Sequence, residues 1–307
     1  MSTPNLPRTV LLDGGMGREL RFRGIEVSNT IWSANALLVA PEVVRRIHLD
    51  YIFAGADIIT TNTYGLVRAC LTMEGIEHRF AELNELACAL ALEAREIATL
   101  QGVNRPISIA GSLPPLRGSY RPDLVGSFEE IYPSYREQAD LLAPHVDLLL
   151  CETMSSAQEA RAAARAACRT GKPVWVSWTL HEDRSGNLRS GESVIDAFAA
   201  IADLPISGVL ANCCAPESIT NAIPRLVKAG VEYIGGYANT AKPIPQYWQL
   251  DGNKKTDGVF ELRQDLDPES YAGHAATWLE KGATVIGGCC GTRPAHIARL
   301  RQLVDGI

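Results

Sequence analysis

The sequence offers little to nucleic acid, to a bilayer or to a disulfide scaffold. Its 29 Lys and Arg stand against 35 Asp and Glu, a formal net charge of -6, and the basic residues form no stripe, so a phosphate backbone finds no electrostatic footprint. No apolar run approaches the ~20 residues that a spanning helix needs, and Met1 to Thr9 lacks the apolar core of a secretory signal. Eight cysteines in 307 residues are too sparse for a disulfide framework. A cytoplasmic protein with free thiols is expected, with neither nucleic acid nor membrane as partner. Histidine is scarce too: there are six, and none stands at the end of a predicted strand. That removes the usual ligands of a hydrolytic zinc centre.

What is present is repetition. Short aliphatic runs alternate with long Ala, Leu, Glu and Arg-rich helical patterns, eight times from Thr9 to the end of the chain. The predicted strands begin with Thr9 to Leu12 and Asp57 to Thr61, and end with Tyr233 to Tyr237 and Ala283 to Ile286. Near-continuous apolar strands are buried on both faces, as a parallel sheet under helices requires. Eight such units in a chain of this length predict an α/β (β/α)8 TIM barrel rather than a doubly wound sheet. No linker divides the chain, so residues 1–307 read as one domain. The polar, Pro and Gly-punctuated stretch from Tyr237 to Gly258 lies inside the repeat and reads as a lid or binding loop.

In a closed parallel barrel all strands deliver their ends to one face, and that face carries the site. The polar residues just past the strands are Asp13, Asn62, Ser112, Glu152, Thr179, Asn212, Cys213, Asn239, Cys289 and Cys290. Vicinal thiols on the turn Gly287-Gly288-Cys289-Cys290-Gly291 are poor packing material and good metal ligands. Cys213, in Asn212-Cys213-Cys214, is the best third thiol. Three thiolates leave one position open on a tetrahedral zinc, the mark of a catalytic rather than a structural site. Cys70, Cys88, Cys151 and Cys168 read as small buried hydrophobes. Gly14-Gly15-Met16-Gly17 has the wrong spacing for a dinucleotide fingerprint.

The stretches Leu12-Asp13-Gly14-Gly15-Met16-Gly17, Gly55 to Thr63, Asn212-Cys213 and Gly287 to Gly291 together resemble the homocysteine S-methyltransferase family, in order and over nearly the whole chain. That family includes betaine:homocysteine methyltransferases and the homocysteine-binding module of cobalamin-dependent methionine synthase. The resemblance implies Zn2+ on Cys213, Cys289 and Cys290, and a methyl group passed to the zinc-bound thiolate of L-homocysteine to give methionine. It implies that Asp13 and Glu152 meet the homocysteine ammonium and that Gly14 and Thr61 line the amino-acid pocket. Asn239 becomes a candidate resting-state fourth ligand, and Cys214 is expected to face away from the metal. The small-molecule methyl donor is expected to be a sulfonium, S-methylmethionine first and S-adenosylmethionine second. A betaine-like or corrinoid-protein donor, or a non-catalytic barrel that binds a thiol metabolite, are the alternatives, and a homo-oligomer is left open. Among aromatics near predicted strand ends, Trp32, Tyr64, Tyr120, Trp178, Tyr237 and Trp248 could enclose an onium methyl.

Overall fold

Apolar runs that can be solvated on neither side form strands covered by helices. The computed structural model describes residues 6–244 and 261–306. Its strands are β1 (Val10–Leu11), β2 (Ile58–Thr60), β3 (Ser108–Leu113), β4 (Leu148–Met154), β5 (Val174–Thr179), β6 (Ile206–Asn212), β7 (Tyr233–Ala238) and β8 (Val285–Gly288). All pairings between them are parallel, in the order β1-β8-β7-β6-β5-β4-β3-β2. The gap between β1 and β2 is bridged by Leu12 and Ile58, and the Asp13 amide donates to the Ile58 carbonyl at 3.0 Å. This is the (β/α)8 barrel that the repetition predicts.

The helices are α1 (Met16–Phe22), α2 (Ala36–Val39), α3 (Pro41–Ala54), α4 (Arg68–Met73), α5 (Phe80–Leu100), α6 (Phe128–Leu142), α7 (Ala157–Cys168), α8 (Val194–Ala199), α9 (Pro216–Leu226), α10 (Pro268–Glu280) and α11 (Pro294–Asp305). Their starts follow local chemistry. Proline opens α3, α9, α10 and α11, where its missing N–H costs nothing. Ser127 and Glu130 form a capping box on α6, and the Asp267 side chain caps α10. The alanines of α7 let it lie close on the sheet, and Ala160, Ala163, Ala164 and Ala167 are fully buried. Among the described residues no helix is long and apolar enough to cross a membrane.

The core has two compartments, one between strands and helices and one inside the barrel. Trp175 fills the inner one, its ring 4.8 Å from that of Tyr233. A Cβ on Gly208 would lie 2.6 Å from the Trp175 indole, so glycine there makes room for the largest inward side chain. The glycines before the paired thiols differ from the sequence reading. Gly287 and Gly288 complete β8, paired with Tyr237 and Ala238, instead of starting the turn. A Cβ on Gly287 would stand 2.5 Å from the Leu12 Cβ, so only glycine lets β8 continue beside the end of β1. The turn therefore begins at Cys289, at the rim.

Candidate metal centre

Two strands on either side of β7 deliver the three thiols. Cys213 follows the last residue of β6, and its amide donates to the Tyr237 carbonyl at 3.2 Å. Cys289 follows β8, and its amide donates to the Ala238 carbonyl at 2.9 Å. The turn beyond is fixed by Thr292, whose hydroxyl donates to the Cys289 carbonyl at 2.7 Å and accepts from the Gly15 amide at 3.3 Å. The Sγ atoms of Cys213, Cys289 and Cys290 all lie within 4.8 Å of one another, and those of Cys213 and Cys290 are 3.6 Å apart. A tetrahedral zinc with Zn–S arms of about 2.3 Å has sulfurs ~3.8 Å apart, so Cys213 and Cys290 stand at the spacing that ion needs and the Cys289 sulfur lies close enough to join them. Hydrogen bonds with Cys213 and Cys289 hold the Cys290 thiol well below the ordinary value, while those with Cys213 and Cys290, together with burial, push the Cys289 thiol well above it. Cys214 turns away into the outer core, fully buried.

Two buried carboxyl groups share the cavity with the thiols. Asp13 accepts from the Thr60 amide at 2.8 Å and from the Thr60 hydroxyl at 3.2 Å. Burial raises its pKa to about 8, against the pull of the Thr60 hydrogen bonds and with a smaller push from Glu152. Glu152 belongs to β4 and accepts from the Ser112 hydroxyl and, at 3.1 Å, from the Tyr237 hydroxyl. Burial raises it to about 7. It is not a helix acid, since α7 starts only at Ala157. Gly14 and Thr61 line the same cavity. The Thr61 hydroxyl sits 2.9 Å from that of Thr63 and accepts from the Ser112 amide at 3.1 Å, so β2 and β3 are tied where the cavity begins.

Backbone strain marks the same place. Among the described residues five non-glycines have positive φ: Trp32 (47°), Tyr120 (64°), Thr153 (63°), Arg184 (63°) and Cys213 (51°). All but Arg184 line the cavity, as expected where side chains are aimed by tertiary contacts rather than local preference. Asn212 secures one of them. Its Oδ1 accepts from the Thr153 amide at 3.0 Å and the Ser177 hydroxyl at 2.7 Å, and its Nδ2 donates to the Thr153 hydroxyl at 2.9 Å.

Other expectations fare unevenly. Asn239 is buried beside the site, its backbone N–H donating to the Cys214 carbonyl at 3.1 Å. Its Nδ2 has no partner among the described residues, and Asn239 is not among those lining the cavity. Trp32, Tyr64, Tyr120 and Tyr237 do line it. Trp178 is instead packed in the outer core, and Trp248, with most of the expected lid, lies outside the described residues. The sequence reading missed Arg18 of α1, which lines the cavity, and the contact of the Tyr120 hydroxyl with the Cys213 sulfur at 2.8 Å.

Comparison with known proteins agrees with this geometry. The family model described as homocysteine S-methyltransferase matches residues 10–304. The homocysteine S-methyltransferase YbgG of Bacillus subtilis is 32% identical, over 95% of this chain and 93% of its own. The homocysteine S-methyltransferase of Escherichia coli is 30% identical, over 95% and 94%. The crystal structure of the metallated form of the Escherichia coli homocysteine methyltransferase MmuM superposes with a TM-score of 0.80 at 29% identity, covering 97% of this chain and 96% of that one.

Proposed function

The chain belongs to the homocysteine S-methyltransferase family, and from that premise we propose that it moves a methyl group from a sulfonium donor to the sulfur of L-homocysteine, giving methionine. S-methylmethionine is the first donor and S-adenosylmethionine the second. The observation that carries the reading is the meeting of three thiols, from β6 and β8, with two buried carboxyl groups in one cavity.

Cys213, Cys289 and Cys290 would hold Zn2+, and the sulfur spacing given above fits that ion. When bound, zinc supplies the Lewis acidity that keeps an incoming thiol deprotonated at neutral pH. The protein's own groups do the rest. Asp13 and Glu152 are the only acceptors of charge-assisted hydrogen bonds assigned to the substrate, and they take its ammonium. The backbone at Gly14 and Thr61 borders its amino-acid end. Trp32, Tyr64 and Tyr237 line the cavity, and an aromatic ring face turned to a sulfonium would favour it by ~0.5–2 kcal/mol. In the transfer, the methyl–sulfur bond of the donor breaks with its electron pair staying on the donor sulfur, and the new bond forms to homocysteine sulfur. The leaving thioether is neutral, so no general acid is required. Asn239, buried next to the thiols' strands with its Nδ2 unpartnered among the described residues, stays the proposed resting-state fourth ligand, through its Oδ1.

We take residues 1–307 as one homocysteine-binding domain, acting in the cytoplasm on small molecules. The test is methionine formation by reduced, zinc-replete protein from homocysteine with S-methylmethionine, S-adenosylmethionine or glycine betaine in separate reactions. Product from S-methylmethionine supports the reading as stated. Product from betaine alone replaces the donor class, and no product from any donor removes the small-molecule assignment.

A further inference from the structure

The Tyr120 side chain reaches the thiols from a loop that carries no ligand. It packs with Cys213 and Ile244, and Cys289 and Cys290 press on the same cluster. Its hydroxyl stands 2.8 Å from the Cys213 Sγ, within reach of a hydrogen bond. Three connections lock the ring there. The Arg189 guanidinium lies over the ring, 5.0 Å from its centroid. Arg189 is paired with Glu182 at 2.8 Å, with the two side chains only 5% and 13% exposed. The same Glu182 oxygen accepts from the Ile244 amide at 3.3 Å, closing the ring of contacts back onto Tyr120. Loops after β3, β5 and β7 thus converge on one phenol, and Tyr120 takes a left-handed φ of 64° to reach it.

We propose that Tyr120 is a positioning residue for the metal centre, donating its phenolic hydrogen to the Cys213 thiolate with its ring held by the Arg189–Glu182 pair. The inference rests on the three-thiol metal site proposed above. A hydrogen bond to a thiolate occupies one lone pair, which leaves fewer orientations for the sulfur. It also draws charge off the sulfur, lowering the energy of its donor electrons. The cation over the ring face strengthens the phenol as a donor. Side chains that orient a ligand in this way typically change metal affinity by about 10- to 100-fold when removed.

The experiment uses the full chain loaded with Co2+ and, separately, with Zn2+. In Tyr120→Phe the thiolate-to-cobalt charge-transfer band should move to longer wavelength, since the sulfur electrons rise in energy. A chelator should strip zinc about tenfold faster than from wild type. The melting temperature of the metal-free protein should not change, because the ring and its packing remain. Arg189→Lys keeps the charge beside Glu182 but loses the flat group over the ring, and should move the band the same way by less; it carries the test if Tyr120→Phe fails to fold. A wild-type band that neither substitution moves, with unchanged zinc release, overturns the role of Tyr120 alone. A wild-type protein with no thiolate-to-cobalt band overturns the three-thiol site itself.

Discussion

Tyr237 donates its phenolic hydrogen to Glu152 at 3.1 Å, so the strand between the two thiol-bearing strands also holds the carboxyl group assigned to substrate. Glu152→Gln loses the charge and keeps one acceptor oxygen for the Tyr237 and Ser112 hydroxyls, while its amide nitrogen can only donate to the other. A hydrogen bond to a charged group contributes about 1.5–3 kcal/mol, so KM for homocysteine should rise roughly 10- to 100-fold, with a smaller effect on kcat. Steady-state kinetics with saturating donor separates the two, and an unchanged KM would count against the assignment.

The pH dependence follows from the same carboxyl groups. With the site empty, Asp13 is pushed up to about 8 and Glu152 to about 7, chiefly by burial. Below these values each is neutral and offers an ammonium no charge. Above them each is ionised, and an ammonium that binds pulls the equilibrium the same way. Homocysteine binding should therefore strengthen as pH rises from 6 to 8, with net proton release. Calorimetry in buffers of different ionisation enthalpy reads the protons directly, and proton uptake would contradict the assignment.

Removing a thiol should remove the metal. Cys213→Ala and Cys290→Ala each leave two thiols in a site built for three, and zinc per chain should fall from about one to well below it. Elemental analysis of protein purified without added metal measures this. Cys214→Ala is the control: that thiol packs in the outer core, so zinc content should stay at the wild-type level.

Asn212→Ala tests the strained rim. The substitution leaves the buried Thr153 amide without its acceptor at 3.0 Å, and the Thr153 hydroxyl, which keeps Tyr64 as a partner, without its donor at 2.9 Å. An orphaned buried amide costs roughly 1–3 kcal/mol, so a stability loss of that size is expected from chemical denaturation. Since Thr153 holds a φ of 63° only against these contacts, the loss should exceed that for the neighbouring Ser177→Ala.

The barrel and its thiols were legible because both depend on short-range pattern. A run such as Leu148 to Leu150, followed by a polar residue and a helical period, has few other solutions, and eight of them close a barrel. Cys289 and Cys290 were legible because vicinal thiols on a glycine turn have little packing use. Of the six aromatics near strand ends, Trp178 is one that packs away from the cavity, for a physical reason. Trp175 points into the barrel, and a residue three positions on in a strand points the opposite way, so Trp178 falls in the outer core. The reach of Tyr120 to Cys213 had no sequence mark at all. It depends on a left-handed residue in an aperiodic loop and on Arg189 from another loop, and neither follows from the residues alone.

Both thiol-bearing turns hang from the last two residues of β7, through the carbonyls of Tyr237 and Ala238. A cation gripping Cys213 and Cys290, 77 positions apart, is therefore a staple across β6, β7 and β8. It shuts the final segment of the chain into a loop that cannot open one strand at a time. Amide hydrogens of β7, which contributes no ligand, should then exchange more slowly once the site is filled. The strand that never touches the metal becomes its reporter.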